Sequence, residues 1–334
     1  MADRGPARSA PSIATGWTPL ARDALLDRLR VTGRPRPLAD PERVARLRDI
    51  VEHRPGPGSV VGRGSGGQPS GPGSRTPLVV TKDLLTRALD RDSDLGAGTG
   101  PAPSFTVPMA CGALIDGLFR QLVTTGSIGD PMADGLDALV LDDRQGELVT
   151  WIDNLSPTER GALTAEVDRQ CLDLVARWPR LDPSWLPRTQ VPMRVGLADG
   201  SIELSGRVDL AIGRPGLNVA SVAIVEVKSG ARRADHRSDL HFYALVETLR
   251  SPAPPFAVAT YYTRTGELDV DPVSDELLAS AARRTAAGIG ALCRPTGEGQ
   301  VSGPATSRAG KVVAAGAGGS GRRRAVVTTG GGGQ

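Results

Sequence analysis

Cysteine is scarce in this chain, with three in 334 residues: Cys111, Cys171 and Cys293. Three thiols cannot build a disulfide framework or a four-thiolate zinc or iron–sulfur site. A reducing cytoplasm is the expected compartment. Long apolar runs are also missing. The longest in the best strand candidate, residues 219–225, falls far short of the roughly 18 residues that span a bilayer. The opening MADRGPARSA lacks the charged-then-apolar pattern of a signal peptide. A membrane protein is therefore not expected, and secretion is disfavoured. Aromatics make up only 3%, while 42 Gly and 27 Pro account for about a fifth of the residues. A core is feasible, but not over the whole length, so part of the chain reads as linker or tail. Lysine is the scarcest charge. It occurs only at Lys82, Lys228 and Lys311, so 37 of the 40 basic residues are Arg. That bias, with abundant Ala, Gly and Pro, is what a GC-rich bacterial coding sequence produces. A lysine that persists inside a strand is then a candidate for chemistry that arginine, planar and permanently charged, cannot perform. The net charge of +3 says little about partners.

Four regions follow along the chain. Residues 1–53 hold two short amphipathic segments. The second opens Asp40-Pro41-Glu42, a cap with proline at the first helical position, and continues with Val44, Leu47, Ile50 and Val51 at helical spacing. Residues 54–76 are Gly/Pro/Ser-rich and read as a flexible linker. Residues 77–296 should be the ordered domain. Residues 297–334 form a Gly-rich tail carrying Arg322, Arg323 and Arg324. That tail is either a solubilising end or an extra contact to nucleic-acid phosphates.

Within the ordered region, Thr81 can cap a helix running through Leu89. Residues 107–124 carry Leu114, Ile115, Leu118, Phe119 and Leu122 on one helical face. Ser156-Pro157-Thr158-Glu159 is a capping box; its helix bears Leu163, Val167, Cys171, Leu174 and Trp178 and ends at Pro179. Cys171 sits on that stripe and reads as core. The period then changes. Val191, Met193, Val195 and Leu197 alternate, Asp199-Gly200 signals a tight turn, and Ile202, Leu204, Val208, Leu210 and Ile212 resume. A loop leads to a third strand ending at Lys228. These three strands read as an antiparallel meander. A helix from about Asp235 to Arg250 and a strand over residues 256–263 follow. The fold class is thus α/β (α+β): helix, three-stranded meander, helix, strand, on a mixed sheet flanked by helices.

The chemistry-bearing residues concentrate on the second and third meander strands. Side chains alternate along a strand, so Glu226 and Lys228 share a face with Ile224, opposite Val225 and Val227. A Glu and a Lys there are costly unless paired or working. Asp209 lies on the neighbouring strand, with Val208 and Leu210 facing away from it, and can sit beside Glu226. Two adjacent carboxylates repel, and a shared proton, a lysine or a divalent cation relieves them. On the following helix, His236, Asp239 and Tyr243 occupy one flank of the apolar stripe. Tyr243, Tyr261 and Tyr262 could form a base-stacking platform, although Tyr262 shares strand parity with Phe256 and Val258 and reads as core. His241 has no evident partner and reads as solvated. His236 and His241, at i, i+5, face different ways and do not make a zinc pair. Lys228-Ser229-Gly230 lacks the preceding glycines of a phosphate loop.

Together, Gly206 and Asp209 (G-x-x-D), Glu226 and Lys228 (E-x-K), and Tyr243 in the next helix resemble the PD-(D/E)XK nuclease superfamily, in its RecB-like branch. The resemblance covers about residues 190–265. The family's Q-x-x-x-Y becomes Asp239-Leu240-His241-Phe242-Tyr243 here, with Asp in place of Gln. Upstream, CGALIDGLFRQLV is similar to the family's G-x-L-x-H helix, with Asp116 at the His position. The resemblance implies a restriction-endonuclease-like core and a metal-dependent nuclease acting on DNA, in repair, recombination or defence against foreign DNA. It implies Mg²⁺ or Mn²⁺ held by Asp209, Glu226 and the Val227 carbonyl, with Asp116 completing the site or a second metal, Lys228 as the catalytic lysine, and Tyr243 and Asp239 facing the substrate. An Asp facing phosphate needs a metal or an arginine such as Arg237. The four cysteines of the iron–sulfur relatives are absent, and no P-loop for a nucleotide cofactor is visible, so any helicase motor would be a separate partner. The rival reading is a catalytically inactive version of the fold that binds nucleic acid or protein. A small-molecule hydrolase lacks its G-x-S-x-G elbow.

Overall fold

The computed structural model describes residues 19–31, 35–52, 76–93, 105–233, 235–251 and 253–294. All but the last residue of the expected linker at 54–76, and the whole tail at 297–334, lie outside them.

The helices begin where their capping chemistry says. Helix α4 (Val107–Thr125) starts at Thr106, whose hydroxyl accepts from the Met109 N–H, and stops at Gly126, left-handed at φ 80°. Helix α7 (Pro157–Arg177) opens with the complete Ser156–Glu159 capping box. Before them come α1 (Pro19–Leu29), α2 (Pro41–Glu52), β1 (Leu78–Val80) and α3 (Lys82–Ser93). Thr81 does accept the Leu84 N–H at the start of α3, which runs four residues past the expected Leu89. Between α4 and α7 lie α5 (Pro131–Val140) and α6 (Gly146–Asp153). The meander is β2 (Pro187–Leu197), β3 (Ile202–Ile212) and β4 (Ala223–Lys228). Then follow α8 (Asp235–Arg250), β5 (Ala257–Tyr262), β6 (Glu267–Pro272) and α9 (Asp275–Leu292). The expected antiparallel meander and the helix at 235–250 are present.

The result is a mixed α/β fold: one six-stranded mixed sheet flanked by helices. The strand order is β1-β3-β4-β5-β6, with β2 on the other edge of β3. Strand β5 runs parallel to β4, and β1 parallel to β3. One face of the sheet, through Leu204, Val208, Ile224 and Val258, packs on α2, α3, α8 and α9. The other, through Leu210, Val225, Ala259 and Tyr261, packs on α1, α4 and the end of α7. A third apolar cluster lies among α4, α5, α6 and α7, where Cys171 is buried as expected. The N-terminal helices are not a separate body. Leu25 and Leu29 of α1 join one side of the sheet, and Leu47 and Val51 of α2 join the other.

Strict alternation predicts Val208 and Leu210 on one face, but the structure puts them in the apolar clusters on opposite faces. The side-chain period slips across Asp209. Among the described residues, no helix is long and apolar enough to cross a membrane.

Candidate functional site

The site is a fork in the sheet. Strand β3 carries β1 beside Ile202–Leu204 and β4 beside Leu210–Ile212. Residues 205–209 lie between these two pairings. Because β1 is parallel to β3 and β4 antiparallel, the two strands run toward each other and end at that gap. The chain leaving β1 brings in Lys82, and the end of β4 brings in Glu226, Val227 and Lys228.

Asp209 stands at the point where the strands part. One further step of the β3–β4 register would set it opposite Glu226, but the ladder ends at Leu210–Val225. Its carboxylate then replaces the missing ladder bond by accepting the Val227 N–H at 2.7 Å. Gly206 is open for a different reason. A Cβ there would come within 2.6 Å of the Tyr243 ring, so only glycine lets that ring close the floor of the fork. The Tyr243 hydroxyl donates to the Arg207 carbonyl at 2.9 Å.

Glu226 is 3% exposed. Its Oε1 receives the Lys82 ammonium in a short contact and the Lys228 ammonium at 3.1 Å. Its Oε2 is buried with no hydrogen-bond partner among the described residues. The same two lysines lie 3.5 and 3.9 Å from Asp239. Lys82 also sits 5.3 Å over the Tyr243 ring. Asp116, on α4, lies 3.5 Å from Arg120 and accepts weakly from Gln190 Nε2 at 3.4 Å. Gln190 itself has a left-handed φ of 52°, which breaks the β2–β3 ladder opposite Asp209.

Electrostatics follow from this crowding. Burial, Glu226 and Asp116 push the Asp209 carboxyl well above the usual carboxylate range, against the Val227 N–H and Lys82. Asp116 is also raised, by burial and then by Glu226 and Asp142, with Arg120 opposing. Burial raises Asp239 although both lysines pull it down. Burial opposes the Lys82 charge, yet Glu226, Tyr243 and Asp239 outweigh it, and its pKa rises. Four carboxylates, Asp116, Asp209, Glu226 and Asp239, thus share one region with two ammonium groups.

Asp209, Glu226, Lys228 and Asp239 are therefore brought together, with Asp116 at the margin. Several expectations need correction. Tyr243 is 2% exposed with its hydroxyl already engaged, so it packs the fork and does not face a substrate. Tyr261 and Tyr262 are buried as well, which removes the stacking platform and leaves the core reading of Tyr262. Arg237 does not serve Asp239; it forms a two-bond pair with Asp271, and the lysines serve Asp239 instead. His241 is not simply solvated, since it contacts the same Asp271 at 3.0 Å. His236 goes elsewhere, to the Tyr262 hydroxyl.

Lys82 is the residue that sequence reasoning missed. Its signal was available: two of the chain's three lysines meet on one buried carboxylate. Among the described residues, no three His, Cys, Asp or Glu side chains are grouped closely enough to hold a metal ion. The carboxylates that could hold one are Asp209 and Glu226. The unpartnered Glu226 Oε2 and the surplus of carboxylate over ammonium both fit a hard divalent cation there.

No protein-family model and no curated protein matches the chain. Among solved structures, it is similar to SSO0001, known from a crystal structure. The identity is 12%, over 61% of this chain and 83% of that one, with a TM-score of 0.21. A likeness of that extent carries no argument about fold or activity.

Proposed function

We propose that the chain is a metal-dependent nuclease that hydrolyses phosphodiester bonds of DNA, on a restriction-endonuclease-like core of the PD-(D/E)XK type. The observation that carries this reading is the convergence of Asp209, Glu226 and Lys228 at the fork where β3 and β4 part. A purely structural ion cluster would satisfy its oxygens, whereas Glu226 Oε2 is buried and unpaired.

Asp209, Glu226 and the Val227 carbonyl would hold Mg²⁺ or Mn²⁺, which polarises a phosphate and lowers the pKa of a bound water. The protein's own groups have distinct tasks. The bond from the Val227 N–H fixes one Asp209 oxygen. Lys228 offers an ammonium beside the carboxylates, where it offsets charge growing on an attacked phosphate. Asp239, paired to both lysines, keeps their ammonium groups in the fork.

One observation favours the rival reading. Lys82 already holds Glu226 Oε1, as a cation would. A module that binds nucleic acid or protein without cleaving it would be neutralised in this way. Metal response separates the two. The enzyme reading expects Mn²⁺ to raise the melting temperature of the wild type, and Glu226→Gln to lose that response. It also expects Asp209→Ala and Lys228→Ala to abolish Mg²⁺- or Mn²⁺-dependent cleavage of DNA while remaining folded. Folded variants that cut at the wild-type rate overturn it.

A further inference from the structure

A cavity of about 560 Å³ is lined by Arg22, Arg180, Arg188 and Arg214 and by no acidic residue. That is unusual in this chain. Another arginine-rich cavity, around Arg232 and Arg237, is interleaved with Asp269 and Asp271, which pair with them. Here the charges are uncompensated. Arg22 is spent on the Val175 and Ala176 carbonyls at the end of α7. Arg188 donates one nitrogen to the Gly213 carbonyl and has its Nε buried without an acceptor. Arg180 lies over Gly126, and neither it nor Arg214 has an ion-pair partner among the described residues. Trp178, 4% exposed, borders the cavity with its indole N–H also lacking an acceptor. Four guanidinium groups around one space repel one another, and an anion in it would relieve them.

The cavity adjoins the carboxylate fork along two elements. Strand β2 carries Arg188 and Thr189 on its wall, and the next residue, Gln190, contacts Asp116. Helix α4 carries Asp116, and its last residues from Leu122 onward line the cavity. Two residues of strand and six of helix correspond to roughly 7 and 9 Å. The volume is that of a small-molecule pocket of roughly 300–1,000 Å³. It admits one or two nucleotides and cannot admit a duplex.

We propose that this cavity binds the phosphates of a single nucleic-acid strand next to the cleavage site. The identity of the ligand rests on the nuclease reading; the uncompensated arginines do not. The test measures binding of a fluorescein-labelled 12-nucleotide single-stranded DNA to the full chain in EDTA, across salt concentrations. Arg180→Ala/Arg214→Ala removes two exposed arginines. Each lost phosphate contact flattens the slope of log K against log salt by about 0.7, so the pair should flatten it by about 1.4. Affinity at moderate salt should fall on the order of tenfold. The control, Arg232→Ala/Arg233→Ala, removes equal charge from arginines paired with Asp269 and Asp235, and should leave both quantities near wild type.

Three results overturn the proposal: no binding of the strand by wild type, an unchanged slope in the Arg180/Arg214 variant, or an equal loss in the control. The nuclease reading fails separately. If the wild type neither cleaves nor responds to Mn²⁺ but the slope changes as stated, the cavity stands as a strand-binding site without the enzyme. If the wild type cleaves and the slope does not change, the enzyme stands without the cavity.

Discussion

Replacing Lys82 with Met tests the organisation of the fork most directly. Met keeps most of the aliphatic volume over the Tyr243 ring and deletes only the charge. The Lys82 side chain is 15% exposed and that of Glu226 is 5%, so the pair is a buried one. Removing one partner of a buried ion pair costs about 3–5 kcal/mol, because the other charge stays in a poor solvent. Lys228 remains 3.1 Å from the same oxygen, which places the loss at the low end, about 3 kcal/mol. At roughly 2–4 °C per kcal/mol for a domain of this size, the melting temperature should drop by about 6–12 °C. The assay is thermal unfolding by circular dichroism in EDTA. The pH dependence has a definite sign. A lysine whose pKa is raised on folding contributes stability that is fully present below its ordinary value of 10.5 and lost only above it. The deficit of Lys82→Met should therefore be flat between about pH 6 and 9. The double variant Lys82→Met/Glu226→Gln removes both charges and should recover most of the loss. A drop under about 2 °C, or strictly additive single and double variants, would refute the view that Lys82 neutralises Glu226.

Two further outcomes follow from the same geometry. Asp209 has its carboxyl raised on folding by burial, Glu226 and Asp116, so the folded state loses stability as pH climbs from the ordinary carboxylate value through the folded one. In metal-free buffer Asp209→Asn, neutral throughout and still able to accept the Val227 N–H, should melt several degrees above wild type at pH 8, with the gap closing toward pH 4; a gap that widens on acidification contradicts the assignment. Tyr243→Phe gives up one hydrogen bond to the Arg207 carbonyl, worth about 1 kcal/mol of stability. With the ring buried, its cleavage rate should stay within about threefold of wild type, and a hundredfold loss would mean that the hydroxyl reaches substrate.

What the sequence made legible depended on how strongly each element declares itself. The meander was readable because β-branched and aliphatic residues alternate over two long strands, and the α8 boundaries because its stripe is dense. Helix α9 went unassigned: its buried face is largely Ala281, Ala282, Thr285 and Ala286, whose low hydrophobic contrast leaves little period to detect. Strand β1 is three residues long and β6 carries Asp269, Asp271 and Pro272, so neither reads as a strand until β3 and β5 supply a partner. Within the site, Asp209, Glu226 and Lys228 were found because they sit on the readable strands. The slip of the side-chain period at Asp209 was not visible, since it falls where β3 loses β4 and where Gln190 of β2 takes a left-handed φ, and no residue type there declares either. Tyr243 was misjudged for a related reason. Helical spacing placed it on a polar flank, while the missing Cβ of Gly206, thirty-seven residues earlier, is what draws its ring into the core.

Lys82 shows how composition can carry structural information that spacing does not. In a chain that uses arginine almost everywhere, a lysine marks a place where the guanidinium does not serve. The fork gives the physical ground. One carboxylate oxygen of Glu226 accepts two cations, and both also approach Asp239. Two compact ammonium groups can share a single oxygen at different angles, whereas two planar guanidinium groups, each requiring a broad fork of acceptors, cannot fit a space closed by the Tyr243 ring. The same argument separates the fork from the arginine cavity beside it. Point-like lysines sit where carboxylates must be held close, and broad arginines line the neighbouring cavity, where no acid competes for them. A strand laid across both would meet charge suited to each of its ends: diffuse donors that grip its phosphates, then a compact pair of ammonium groups among the carboxylates that would act on one.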